Sequence, residues 1–311
     1  MGLDQATPLE GGVLPSLPSG PPYACAELHA WAGLAFELPP GDPRLASIHR
    51  GGPAPTPPLD NLVGAVRAWR EHPEWMEFLD PEAPNHLDKL TERSLYLARW
   101  APYIAPGARV LDLGGGVGRF TTWLLDHGCE VEIVDPDLRS LWRCLSAAVG
   151  RPGSLDVHWS TGELLPELEP VDVVVACEVL CYAEDPRRVV ERLQAALRPG
   201  GVLLASVEAR YGWAMGPDAP PDTLEAFLED GIVHVPGDRW IRTCTEQMFR
   251  SWLAPLEIRE LIASHYALSG PFEAASRPRD LEETLLLEAR LREHPIAGPC
   301  NRAWMAVAHR G

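Results

Sequence analysis

Val110-Leu111-Asp112-Leu113-Gly114-Gly115-Gly116-Val117-Gly118-Arg119-Phe120 is the stretch that decides the fold. An apolar strand pattern runs into a glycine loop that opens a helix, so main chain can approach a ligand without interference from Cβ atoms. In an open α/β sheet such a ligand lies at the carboxyl end of the strand, at the switch point of the sheet. Spacing decides which ligand fits. A dinucleotide fingerprint needs G-x-G-x-x-G; counting from Gly114, its last position holds Arg119, so the match fails and a nicotinamide dehydrogenase is disfavoured. A phosphate loop needs Gly-Lys-Ser/Thr, and the loop has no lysine. What matches is D-x-G-x-G-x-G, carried by Asp112, Gly114, Gly116 and Gly118.

Outward from the loop, strand and helix patterns alternate. Strands are expected at 109–113, 130–134, 155–159, 171–177 and 202–207, with helices at 120–127, 138–149 and 186–197 between them. Right-handed crossovers then give a doubly wound, mostly parallel sheet. Upstream, residues 85–100 read as a helix ended by Pro102 and the Ala105-Pro106-Gly107 turn. Downstream, residues 211–242 are rich in Pro, Gly and aromatics and too long for a plain connection, so a lid is expected there. Thr243-Cys244-Thr245-Glu246 has capping-box spacing before a helix, 256–263 reads as a strand, Asp280 starts a further helix, and 303–308 reads as a last apolar strand.

Residues 1–58 carry two proline-rich runs around an apolar island, Tyr23 to Leu38. An irregular arm whose island packs on the body is expected, with a disordered one as the alternative. Leu62, Val63, Val66 and Trp69 share one helical face. The chain therefore divides into an N-terminal arm with helices, 1–84, and a ligand-binding domain, 85–311.

Composition bounds the function. The 311 residues, 46% hydrophobic, suffice for one large core. No run of about 18 apolar residues is present, and the N-terminus lacks the basic start and apolar stretch of a signal peptide, so a cytoplasmic protein without a membrane partner is expected. Seven scattered cysteines fit a reducing compartment. Cys177 and Cys181 have no nearby ligand set for zinc, and no metal is expected. With 27 Lys+Arg against 44 Asp+Glu, the net charge of −17 repels phosphate backbones and disfavours nucleic acid as a partner.

The loop and the elements in register with it, from Leu87 to Arg310, resemble the class I S-adenosylmethionine-dependent methyltransferases, whose first motif is this acid-and-glycine pattern. The resemblance implies a seven-stranded sheet, S-adenosylmethionine as cofactor and S-adenosylhomocysteine as product. Gly114, Gly115, Gly116 and Gly118 would then line the cofactor. Asp112 would balance its cationic methionyl end or brace the loop, and Arg119 would pair with the methionyl carboxylate or lie on a helix surface. Asp135, with Pro136 after it, ends the second strand and would take both ribose hydroxyls. Thr161-Gly162-Glu163 is similar to the segment beside the adenine, with Thr161 replacing the usual Asp or, in another alignment, Glu163 standing in its place. Cys177 and Glu178 follow the fourth strand and would meet the methionyl end.

Methyl transfer is a single in-line displacement, so the protein must place the acceptor atom about 3 Å behind the methyl carbon and, for an O–H or N–H acceptor, take its proton. His234, Tyr211 and Tyr182 are the candidate bases; His234 leads because its ordinary pKa of about 6.5 lies near working pH. Tyr182, Arg210, Tyr211, Trp213 and Trp240 are the candidate acceptor-binding residues, and Glu208 to Trp213 is the segment of first interest. A small-molecule acceptor is expected. A peptide or protein acceptor, or binding of the cofactor without catalysis, are the alternatives.

Overall fold

The computed structural model describes residues 47–50, 80–83, 86–215, 223–229, 231–234, 240–268, 270–272 and 280–311. The island from Tyr23 to Leu38 and the helical face of Leu62, Val63, Val66 and Trp69 lie outside the described residues.

One large sheet forms the scaffold. Its strands are β1 (Ile48–Arg50), β2 (Arg109–Leu113), β3 (Glu130–Asp135), β4 (Ser154–Trp159), β5 (Val171–Cys177), β6 (Leu197–Glu208), β9 (Glu257–Ser264) and β10 (Ala303–His309), in the order β1-β4-β3-β2-β5-β6-β10-β9. Strands β4, β3, β2, β5 and β6 are mutually parallel, and β10 runs antiparallel between β6 and β9. These seven strands are the doubly wound sheet the sequence predicts. An eighth, β1, pairs parallel with β4 at the edge, so three residues of the segment expected to be irregular join the sheet.

The helices are α1 (His86–Trp100), α2 (Thr121–Asp126), α3 (Leu138–Ala148), α4 (Pro186–Ala196), α5 (Arg210–Ala214), α6 (Thr223–Leu228), α7 (Glu246–Trp252) and α8 (Leu281–Glu293). Side-chain alternation along each strand feeds two cores. Val173 and Val175 of β5, with Met305 and Val307 of β10, pack on Tyr96, Trp100, Phe120 and Leu124 of the α1–α2 face. Val174 and Ala176, with Ala306 and Ala308, pack on Val189, Leu193, Phe249 and Trp252 of the α4–α7 face. A strand buried on both faces reads as an unbroken apolar run, which is why residues 171–177 were legible without polar alternation.

Two local expectations shift. The segment expected to form a lid, 211–242, is structured: it holds α6, a hairpin of β7 (Ile232–His234) and β8 (Trp240–Arg242), and most of α5, which starts one residue earlier at Arg210. The cap of α7 is Thr245, whose side chain accepts from Met248 N; Thr243 Oγ1 instead donates to Gly231 O at 2.8 Å. Thr243 is tied to the segment before the hairpin, so the helix starts two residues later than the capping-box spacing suggests. Asp280 caps α8 as the sequence predicts, accepting from Glu283 N at 2.8 Å.

Candidate active site

The parallel strands end on one edge, and so does β9, because it runs in the same direction as β6. Cys177, Glu208 and Ser264 therefore stand at a common rim with the glycine loop.

The loop is shaped for close approach. Gly114 has φ +66°, and a Cβ there would lie 2.4 Å from Val179 Cγ2. Gly116 has φ +56°, yet a Cβ there would meet nothing within 4 Å, so its outer side is an open cradle. Gly115 faces the Asp112 carboxylate, and Gly118 lies beside Cys144. Asp135 Oδ2 accepts from Gly116 N at 3.0 Å and Oδ1 from Asp137 N at 2.8 Å. The carboxylate is thus held at the end of β3 directly beside the cradle. Pro136 is fixed by its carbonyl, which accepts from Trp159 Nε1 at 2.8 Å.

Asp112 is 1% exposed, and its Oδ2 accepts from Thr121 Oγ1 at 2.6 Å. It braces the loop against α2, one of the two roles open from sequence. Burial pushes its carboxyl up to about 7, and the nearby Asp135 adds to that, against the opposing bond from Thr121. Thr161 Oγ1 accepts from Leu164 N at 3.2 Å, Gly162 lies against Val189 of α4, and Glu163 Oε1 accepts from Glu184 N at 3.1 Å. This segment ties the turn after β4 to the turn after β5.

Next to the loop lies a charged network that no motif announces. Arg119 donates from Nη1 to Glu92 Oε2 at 2.7 Å and from Nη2 to Glu178 Oε2 at 3.1 Å and Cys177 Sγ at 3.2 Å. Lys89 Nζ also reaches Glu92 Oε2, at 2.8 Å. Tyr96 donates to Glu178 Oε1 at 2.7 Å, and its ring lies 4.9 Å from that of His265. His265 is 1% exposed, 3.9 Å from Glu92 Oε1 through Nε2, and 3.0 Å from Ser264 Oγ through Nδ1. Glu178 and His265 both hold left-handed backbone, with φ +57° and +60°. Burial alone would raise the Glu92 carboxyl, but Lys89, Arg119 and His265 prevail and hold it at about 2. In Glu178 burial is likewise outweighed by Arg119, and the carboxyl lies below its usual range. Donor atoms of Glu92, Glu178 and His265 fall within 4.8 Å of one another, but Arg119 and Lys89 already balance both carboxylates. A methionyl carboxylate would therefore have to share Arg119 with two protein acids.

On the far side of Glu178, Cys181, Trp213, Val233 and Ile241 form a small buried cluster, with Tyr182 packed against it. Here the hairpin and α5 cover the turn after β5. Trp213 Nε1 donates to Glu208 Oε2 at 2.8 Å. Tyr211 points away: it is 48% exposed and its ring meets Phe227 edge-on. Arg210 reaches Met248 Sδ at 3.5 Å, and Trp240 carries the Arg242 guanidinium over its ring. His234 closes β7; its side chain lies outside the described residues. Glu92, Tyr96, Glu208, His265 and Arg302 were missed as individual sites: the first three sit in ordinary helix or strand patterns, and His265 and Arg302 flank β9 and β10 with no motif to mark them.

The sheet order, the glycine cradle and the acid at the end of β3 define a class I S-adenosylmethionine-dependent methyltransferase. The methyltransferase-domain family model matches residues 72–260, and the chain belongs to that family. Its cofactor is S-adenosylmethionine. A Mycobacterium tuberculosis methyltransferase of uncharacterised function is 28% identical over 192 residues, 58% of this chain and 74% of the relative. A ubiquinone biosynthesis O-methyltransferase from Methylocella silvestris is 34% identical over 53% of this chain and 60% of its own. A tRNA 5-carboxymethoxyuridine methyltransferase from Escherichia coli is 35% identical over 34% of this chain and 42% of its own. Among solved structures, magnesium protoporphyrin IX methyltransferase from Synechocystis, with bound S-adenosylhomocysteine, superposes with a TM-score of 0.52 at 15% identity, covering 79% of this chain and 98% of that one.

Proposed function

We propose that this enzyme methylates a small molecule in the cytoplasm, with the acceptor held at the ligand-facing rim beside the turn after β5, which the β7–β8 hairpin covers. The observation that carries this reading is the packing of Val233 and Ile241 from the hairpin onto Cys181, Trp213 and Tyr182. A rim partly covered by the hairpin suits a compact ligand better than a duplex or a folded chain. The charge of −17 adds a repulsive field against phosphate backbones. No helix among the described residues is long and apolar enough to cross a membrane.

The bound cofactor supplies an electrophilic methyl group. In this proposal Gly114, Gly115, Gly116 and Gly118 receive its main body, and Asp135 with Pro136 its ribose. Thr161, Gly162 and Glu163 border the adenine, and Cys177 and Glu178 face the methionyl end. Arg119 acts there through its hold on Glu178. Tyr182, Arg210, Trp213 and Trp240 bound the acceptor, with Tyr182 and His234 as proton acceptors to be tested, whereas the exposed Tyr211 is left out of the site. In the proposed division at residue 85, β1 (Ile48–Arg50) of the first segment adds an edge strand to the sheet of the second.

The tRNA relative names the rival acceptor class. Methyl-labelled S-adenosylmethionine, incubated with the purified protein and with separated small-molecule, tRNA and protein fractions of a cell extract, decides between them. Label in the small-molecule fraction is expected; label confined to tRNA or protein overturns the reading.

A further inference from the structure

Glu208 ends β6 at the ligand-facing rim, and its side chain is 11% exposed. Trp213 Nε1, at 2.8 Å, and Arg302 Nε, at 2.7 Å, both donate to Oε2. The Arg302 guanidinium in turn lies 4.0 Å over the Trp213 ring, so the two donors hold each other in place. Oε1 receives no donor among the described residues. Among the described residues the carboxylate is therefore pinned through one oxygen only.

Its position matters as much as its bonds. Ser206 pairs with Cys177 across β6 and β5, and its Oγ accepts from Glu178 N at 3.0 Å. Residues two apart on a strand share a face, so Glu208 stands one step further out on the face that touches Cys177 and Glu178. That places its carboxylate between the methionyl end of the cofactor site and the cluster of Trp213 and Cys181.

We propose that Glu208 takes the acceptor's proton, and hence that the acceptor reacts through an O–H or N–H group that must lose it; this rests on the small-molecule reading above. The acceptor's oxygen or nitrogen gains the methyl group, the electron pair of the broken carbon–sulfur bond stays on sulfur, and the proton passes to Glu208 Oε1. The groups facing Glu208 suit that task. Burial raises its carboxyl to about 7, Arg302 opposes the rise and Glu178 adds to it. Cys181 and Cys244 beside it are held as neutral thiols by burial, and Arg210 lies beyond Cys244. A base whose affinity for the proton matches the working pH is the efficient case.

The test uses the full chain, methyl-labelled S-adenosylmethionine and the extract fraction that becomes labelled. Glu208→Gln keeps an oxygen for Trp213 and Arg302, so S-adenosylhomocysteine affinity should stay within about twofold while turnover falls by roughly 10²–10⁴-fold. Wild-type turnover should rise with pH up to about 7 and then level off. Arg302→Gln should move that rise to higher pH, because the opposing charge is gone, an effect a purely structural Glu208 would not produce. Carbon-labelled glutamate should show one carboxyl that titrates near 7 and is missing from Glu208→Gln. Turnover of Glu208→Gln within about threefold of wild type, or a Glu208 carboxyl titrating in the ordinary acidic range, overturns the assignment alone. A chain that labels no fraction overturns the small-molecule reading together with it.

Discussion

The two halves of the ligand-facing rim are built by different rules. On the β2–β3 side, main chain does the shaping: positive-φ glycines, a carboxylate aimed by backbone N–H groups, and a loop braced by Asp112 and Thr121. From the end of β5 across to β9, side chains do it. Glu92, Arg119, Glu178 and His265 form one charged network, and Glu208, Arg302 and Trp213 form a second. A backbone site follows from local sequence and tolerates little change in shape. A side-chain site depends on neighbours brought from distant elements, and can change its chemistry while the scaffold stays intact.

That contrast predicts where damage should fall. The largest effect belongs to the charged half. Glu92→Gln leaves Arg119 and Lys89 short of a buried counter-charge and should cost about 3–5 kcal/mol in urea unfolding at neutral pH. Because the Glu92 carboxyl titrates at about 2 when folded and near 4.5 when unfolded, its contribution is complete above 4.5 and fades as pH falls toward 2. The variant should therefore lose stability less steeply than wild type on that acid side; parallel acid limbs would remove Glu92 from the network.

The next effect tests the backbone half. Gly114→Ala puts a methyl group 2.4 Å from Val179 Cγ2 in left-handed backbone, and calorimetry should record S-adenosylhomocysteine binding weaker by roughly a hundredfold. Near-native affinity would mean that the loop relaxes and the cradle is not set by its main chain. Asp135→Ala should weaken the same binding by about tenfold or more, as loss of a charge-assisted hydrogen bond should; an unchanged isotherm would take the ribose away from Asp135.

Asp112 gives an effect of opposite sign on stability. Its folded carboxyl holds a proton up to about 7 against 3.8 in the unfolded chain, so wild-type stability declines as pH rises between those values. Asp112→Asn keeps an oxygen for Thr121 and lacks that decline. Thermal melts should show its advantage over wild type growing from 3.8 to 7 and then holding constant; a flat difference would refute the buried, proton-holding description. The smallest effect is that of Tyr211→Ala. A half-exposed ring on the outer side of α5 should leave S-adenosylhomocysteine affinity within about twofold, and a large loss would bring Tyr211 into the site.

Much of the fold was legible because its signals are local. Residues 109–113 and 171–177 form strands as expected, and the helix before β6 begins at Pro186 as read, because apolar runs and punctuating Pro and Gly report the backbone directly. Less legible were the short elements of the lid, where three-residue strands and five- or six-residue helices are too brief for a period to register. Strand β6 starts at Leu197 and not at Val202, since the Arg198-Pro199-Gly200-Gly201 turn lies within a register shift against β5. The edge strand β1 gave no warning either, for a proline-rich context hides three residues that pair only because the β4 edge is available.

By itself the sequence determined the order of the longer strands and helices, the glycine bend after β2, and the acid that ends β3. These depend on neighbours along the chain, whose spacing and conformational freedom are written in residue identity. Only the tertiary structure decided that Glu92 of α1, Glu178 after β5 and His265 after β9 would share one buried network, and that Glu208 would be gripped by Trp213 and Arg302. The physical reason is burial: a carboxylate in a helix or strand pattern looks like any solvated one until packing strips its water and chooses its partners.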